Sequence, residues 1–122
     1  MNNIKIELHA DDLGISDKIN ESIFSSIDDG LVRGVSVLIG SKGAEAGING
    51  ALKRKVRVCL HLNLTDGQCL SKNKSTNYIT DNNKNFNKSF IKLLFCKYSK
   101  NFKIIREETK KEIVEQINEC TK

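Results

Sequence analysis

His9-Ala10-Asp11-Asp12-Leu13-Gly14-Ile15-Ser16 lies where the hydrophobic period of the chain changes. Before it, Ile4-Lys5-Ile6-Glu7-Leu8-His9-Ala10 alternates apolar and polar residues, the period of a β-strand. After it, Ile19, Ile23, Phe24 and Ile27 recur at helical spacing until Gly30. Ser16 is placed to cap that helix at its N-terminus, and Gly30 to end it as the residue past the C-cap. A strand thus ends on two adjacent carboxylates, turns at a glycine and enters a helix.

The same alternation of elements continues outward. Val35 to Ile39 is a short apolar run between Gly34 and Gly40, as expected of a strand covered on both faces. Residues 42–53 predict a short helix, weakened by Gly47 and Gly50. Val56, Val58, Leu60, Leu62 and Leu64 then alternate, predicting a third strand that ends near Thr65-Asp66-Gly67. The β-α-β-α-β order implies α/β class, with parallel strands joined by right-handed crossovers and functional groups at the carboxyl ends of the strands.

Beyond the third strand, residues 71–87 are Asn- and Lys-rich and without period, and they predict a polar loop or lid. Residues 89–98 predict a helix with Phe90, Leu93 and Leu94 inward. A last helix is expected from about Arg106, with Ile113 and Ile117 on one face. The 122 residues suit one domain. That domain is expected to be incomplete, because three parallel strands leave a wide sheet edge uncovered.

Composition narrows the class without naming a function. Hydrophobic residues make up 39% and charged residues 29%, ordinary for a soluble chain. The net charge of +5 comes mostly from lysines between Lys72 and Lys111, and with no Trp in the chain it reads as a solvated surface; no nucleic-acid partner is expected. Cys59, Cys69, Cys96 and Cys120 form no CxxC pair, which argues against a zinc ribbon and for free thiols. The opening apolar stretch is broken by Lys5 and Glu7, and no apolar run approaches the roughly 18 residues of a membrane span. A cytoplasmic protein without a membrane partner is the expectation.

Asp11 and Asp12 are adjacent at a strand end, where neighbouring side chains can diverge. One carboxylate can then hold a cation while the other works as an acid or base. The same dipeptide also serves as an ordinary turn that caps the next helix. His61 interrupts an apolar alternation near the carboxyl end of the third strand. It reads either as a hydrogen-bonded structural residue or, with Asp12, as a ligand to a shared divalent ion. His9, before the acidic pair, reads as a packing residue or one that supports a ligand. Asn63, Thr65 and Asp66 can line a sugar site through amide and hydroxyl groups, or simply form a turn.

Taken together, His9 to Ser16, Asn20, Val35-Ser36-Val37-Leu38-Ile39 and Leu60-His61-Leu62-Asn63-Leu64-Thr65-Asp66-Gly67 resemble the motifs of YdjC-like carbohydrate deacetylases in order and spacing. The stretch from Glu107 to Ile117 is similar to the helix that precedes that family's third motif. The resemblance implies a (β/α) barrel of the polysaccharide-deacetylase type. It implies hydrolysis of acetyl groups from N-acetylated sugars such as chitooligosaccharides, with a divalent ion, magnesium or zinc. Carried over by position, Asp12 and His61 are metal ligands and Asp11 is the general base that deprotonates the attacking water.

The sequence departs from that pattern in one respect. The family draws a third ligand from a His-rich motif on a later strand, and His9 and His61 are the only histidines here. The expectation is therefore an N-terminal half whose C-terminal strands are missing, weak or inactive alone and marginally stable. Its partners would be an N-acetylated oligosaccharide and either a second copy or a separate C-terminal half. A non-catalytic fragment that needs such a half is the alternative. A phosphoryl-receiver module is another, although it requires an aspartate where the third strand ends at His61.

Overall fold

The alternating opening segment becomes β1, Leu8–Leu13, in the computed structural model, which describes residues 6–71 and 76–121. Ile4 and Lys5 lie outside the described residues. The strand continues past Ala10, its expected end, and takes the acidic pair into itself. Between Ala10, which pairs with Val35, and Leu13, which pairs with Val37, β1 advances three residues while its neighbour advances two. The extra residue is a bulge at Asp11-Asp12, and Asp12 takes the left-handed conformation at φ 66°.

Ser16 accepts a hydrogen bond from the Ile19 N–H and opens α1, Asp17–Asp28. Ile23 and Ile27 are buried, as their spacing predicts. Gly30, at φ 75°, donates its N–H to Ile27 O, and the Leu31 N–H returns to Ser26 O, closing the helix.

The second strand, β2, is Val32–Val37, and the third, β3, is Arg57–Leu60. The sheet order is β1-β2-β3 with both pairings parallel. The expected strand at 35–39 begins and ends earlier than its apolar run, because Leu38 already turns to donate its N–H to Leu13 O. The third strand is also shorter than its alternation suggested. Pairing ends at Leu60, and Leu62 and Leu64 lie beyond it in a turn region whose backbone is committed elsewhere.

Between β2 and β3 runs α2, Ala44–Lys53. Its two helix-weakening glycines are where other elements come closest. A Cβ on Gly47 would sit 3.0 Å from Leu13 Cγ, and one on Gly50 would fall 2.1 Å from the Phe24 ring. Ala44, Gly47 and Ala51 form the buried face, so small side chains trade helix propensity for close packing. Leu13, Val35, Val37 and Ala51 are fully buried at the centre of this core.

Gly14 couples the acidic bulge to that packing. Its φ is 99°, and an added Cβ would lie 2.8 Å from Ala44 Cα, a backbone atom that cannot swing aside. Gly14→Ala is expected to cost about 2–4 kcal/mol through left-handed strain and this clash. Urea denaturation should show a lower midpoint.

The chain forms two compact units, Met1–His61 and Leu62–Lys122. The second contains α3, Phe90–Leu94, a 3-10 turn at Cys96–Tyr98 and α4, Phe102–Cys120. Two expectations are corrected here. On α3, Phe90 and Leu94 are exposed rather than inward, and only Leu93 is partly covered. On α4, Ile117 is exposed and Ile113 half-buried, whereas the buried face is Ile105, Glu108, Glu112 and Gln116.

The partners of that polar face explain its burial. Glu108 accepts from the N–H groups of Tyr78 and Ile79. Glu112 accepts from the N–H groups of Leu70 and Ser71, from the Cys69 thiol and from Gln116 Nε2. Gln116 also brackets Asn63, accepting from its N–H at 3.0 Å and donating to its carbonyl at 2.6 Å. Loop amides without a strand or helix to pair with thus find acceptors on α4. Within the expected polar loop, Thr76, Ile79 and Thr80 are buried, so that segment is more than a solvated lid; residues 72–75 lie outside the described residues.

Burial first, and then the Glu112 carboxylate beside it, push the Cys69 thiol up from 9.0 to about 12. A raised thiol pKa means the folded state favours the neutral form. Its contribution to stability is present in full below pH 9.0 and is lost as pH rises toward about 12. The urea midpoint should therefore fall more steeply above pH 9.0 in the parent than in Cys69→Ala. At pH 8, iodoacetamide should modify the exposed Cys59 and Cys120 well before Cys69.

Candidate active site

The bulge in β1 sends its two carboxylates different ways. Asp11 Oδ1 accepts a hydrogen bond from Ser36 Oγ, and Ser36 is itself buried on β2 among valines. Asp12 turns toward the end of β3, where its Oδ1 lies 3.4 Å from His61 Nδ1. The His61 backbone extends the ladder by one bond, its N–H donating to Val37 O at 2.9 Å. Chain topology thus brings the ends of the first and third strands together across β2.

The loop behind the pair is braced from inside. Asn20, 3% exposed, accepts from the Gly14 N–H at 2.7 Å and donates to Gly43 O at 2.9 Å. Gly43 in turn donates its N–H to Gly14 O at 2.9 Å, and the Ser41 hydroxyl donates to the same carbonyl. A single buried amide side chain therefore ties the turn after the acids to the start of α2, which fixes the backbone that aims Asp12.

His61 Nδ1 lies 3.4 Å from Asp12 Oδ1 and the same distance from the Asp12 backbone nitrogen, whose N–H points to it. Either an N–H at Nδ1 or a cation between the two atoms would satisfy this arrangement. Asp12 Oδ1 and His61 Nδ1 are close enough that both would hold the same ion. The side chains are 34% and 54% exposed, so a cation and its remaining waters have access. Oxygen and imidazole nitrogen together suit zinc, magnesium or similar ions. The pair fits as two ligands of such a site; among the described residues no group of three or more His, Cys, Asp or Glu side chains converges to complete it.

Comparison with known proteins now bears on these residues. The family described as YdjC-like protein matches residues 5–122. The chain belongs to the YdjC-like family. A protein of Clostridium beijerinckii (strain ATCC 51743 / NCIMB 8052) named "Carbohydrate deacetylase" is 36% identical over 84 residues, covering 68% of this chain and 34% of that protein. The chain thus aligns with about a third of the length of this relative. No solved structure matches.

The remaining candidate residues of this YdjC-like chain have partners of their own. His9 lies against Gly34, whose absent side chain makes room for it: a Cβ there would come 2.6 Å from His9 Nδ1. Asn63, Thr65 and Asp66 belong to the second unit, where they build a turn. Asn63 Oδ1 accepts from the N–H groups of Thr65 and Asp66, Asn63 Nδ2 donates to Asp66 O, and Asp66 Oδ1 accepts from the Gly67 N–H. That is the turn chemistry open to these residue types from sequence.

Ser36 and Asn20 carry no assigned role in the sequence reading, yet they hold the acids in place. The available signal was a lone hydroxyl inside the apolar run Val35-Ser36-Val37 and a lone amide on the buried stripe of α1. A polar group in such a position must find a partner, and here the partner is the site.

Proposed function

We propose that this chain carries the metal-binding and general-base part of a carbohydrate deacetylase centre, acting on N-acetylated sugars of the chitooligosaccharide type. The observation that carries the proposal is the division of labour at the bulge: Asp11 held by Ser36, Asp12 facing His61 at 3.4 Å. Family membership and the name of the Clostridium relative support a hydrolase.

In this reading Asp12 and His61 hold a divalent ion, magnesium or zinc, which when bound polarises the acetamide carbonyl and acidifies water. Asp11 Oδ2, the oxygen not engaged by Ser36, accepts the proton of the attacking water. Addition of hydroxide to the carbonyl carbon and cleavage of the C–N bond yield acetate and a free amine on the sugar, with a proton delivered to the leaving nitrogen. Asn63, Thr65 and Asp66, with a turn already built, present the exposed Thr65 hydroxyl and Asp66 side chain to sugar hydroxyls. The three parallel strands are read as part of a (β/α) barrel of the polysaccharide-deacetylase type, with a second copy or a further half supplying the remaining ligand.

The test is titration of the purified chain with Zn2+ and with Mg2+ by calorimetry, followed by acetate release from diacetylchitobiose. Saturable one-site binding with acetate release supports the full reading. Binding without acetate leaves the metal pair standing and removes catalysis by this chain alone. No binding of either ion sinks the metal assignment.

A further inference from the structure

Between Asp81 and Glu107 the chain has no acidic residue, and its second half carries Lys88, Lys92, Lys97, Lys100, Lys103 and Arg106. Over the same stretch α3 and the 3-10 turn leave Phe90, Ile91, Leu94, Phe95 and Tyr98 between 58% and 75% exposed. Five large apolar side chains within nine residues form a patch that water solvates poorly. The Phe95 and Tyr98 rings stack with centroids 6.4 Å apart, and Lys97 Nζ lies 4.9 Å from the Tyr98 ring centre, so aromatic and cationic groups share one rim.

The charge decides what can cover this patch. A second copy meeting it by two-fold symmetry would set the same cations against each other, with no carboxylate in the stretch to offset them. A nucleic acid would answer the charge and find stacking faces on Phe90, Phe95 and Tyr98, but it would leave Ile91 and Leu94 without an apolar partner. A bilayer surface rich in anionic headgroups answers both features at once. Lysines reach the phosphates while aromatic and aliphatic side chains enter the boundary between headgroups and acyl chains.

We propose that residues 88–106, with α3 at their centre, dock this chain on an anionic lipid surface. The expectation of no membrane partner rested on the lack of a spanning segment. Among the described residues no helix is long and apolar enough to cross a membrane, and surface docking requires none. The proposal is independent of the deacetylase reading, since none of its residues belongs to the acidic bulge.

Co-sedimentation of the full chain with vesicles of phosphatidylcholine and phosphatidylglycerol at 3:1, against phosphatidylcholine alone, tests it. Binding is expected only to the anionic vesicles and should weaken in 0.5 M salt. Lys92→Glu/Lys97→Glu should weaken it roughly thirtyfold or more, as two headgroup attractions become repulsions. Ile91→Ser/Phe95→Ser should weaken it at every salt concentration. All four side chains are exposed, so both variants should keep the parent's circular dichroism. Equal binding to neutral vesicles, no binding to anionic ones, or indifference to charge reversal would overturn the proposal. So would a lipid-free dimer in the ultracentrifuge that Phe90→Ser dissociates, since a second copy would then own the face.

Discussion

Glu112→Ala is expected to destabilise the second unit by about 3–5 kcal/mol, a large part of the stability of a domain this size. Glu112 is fully buried, and truncation leaves the Leu70 and Ser71 amides without this acceptor and takes one acceptor each from the Cys69 thiol, which keeps Ser71 O, and from Gln116 Nε2, which keeps Asn63 O. Each buried donor left without an acceptor costs about 1–3 kcal/mol, and water entering the cavity recovers part of that. Glu112→Gln is not a mild change, because one amide NH2 would oppose donors where an oxygen now accepts. Val114→Ala, on the exposed face of the same helix, should cost under about 1 kcal/mol. Urea denaturation gives the magnitudes. Hydrogen exchange gives the location, with protection at Leu70 and Ser71 lost first. If Glu112→Ala and Val114→Ala unfold alike, α4 does not organise the loop in the way its hydrogen bonds indicate.

Asp12→Ala and His61→Ala are each expected to weaken divalent-ion binding by about a hundredfold or more, since either removes one of the two donors that the described residues bring together. Asp11→Asn should leave ion binding within a few-fold of the parent, because Asp11 is turned to Ser36 rather than His61. Where acetate release is measurable, Asp11→Asn should lower kcat by about 10²–10⁴ with the ion bound, the effect of removing a general base. The three variants together separate holding the ion from moving the proton. Ion binding unchanged in His61→Ala would remove the imidazole from the site.

The β-α-β-α-β order was legible because hydrophobic period reports which face is covered, and the caps at Ser16 and Gly30 fall where residue type places them. The expected helix over 42–53 is present as α2 although Gly47 and Gly50 count against it, since propensity cannot see Leu13 and Phe24 pressing on those glycines. Leu62 and Leu64 continue an alternation that the backbone has left, because the pairing of β3 with β2 ends at Leu60. The face of α4 was misread for a related reason. Periodicity assumes that apolar residues are the ones covered, but Glu108, Glu112 and Gln116 are buried by amides of a loop with no period of its own. At the candidate site, residue types and strand ends pointed to Asp11, Asp12 and His61. The support from Ser36 and Asn20 depends on three-dimensional placement across 25 and 23 residues of sequence.

Asp11 and Asp12 are the same amino acid, and nothing in their side chains tells one from the other. Their difference is written into the count of backbone atoms between Ala10 and Leu13. Deleting one residue there would straighten the strand and leave a single carboxylate at that level, pointing to one side of the sheet only. Side-chain swaps at these two positions can therefore test chemistry, but only a change in strand length can test what makes two identical acids unequal.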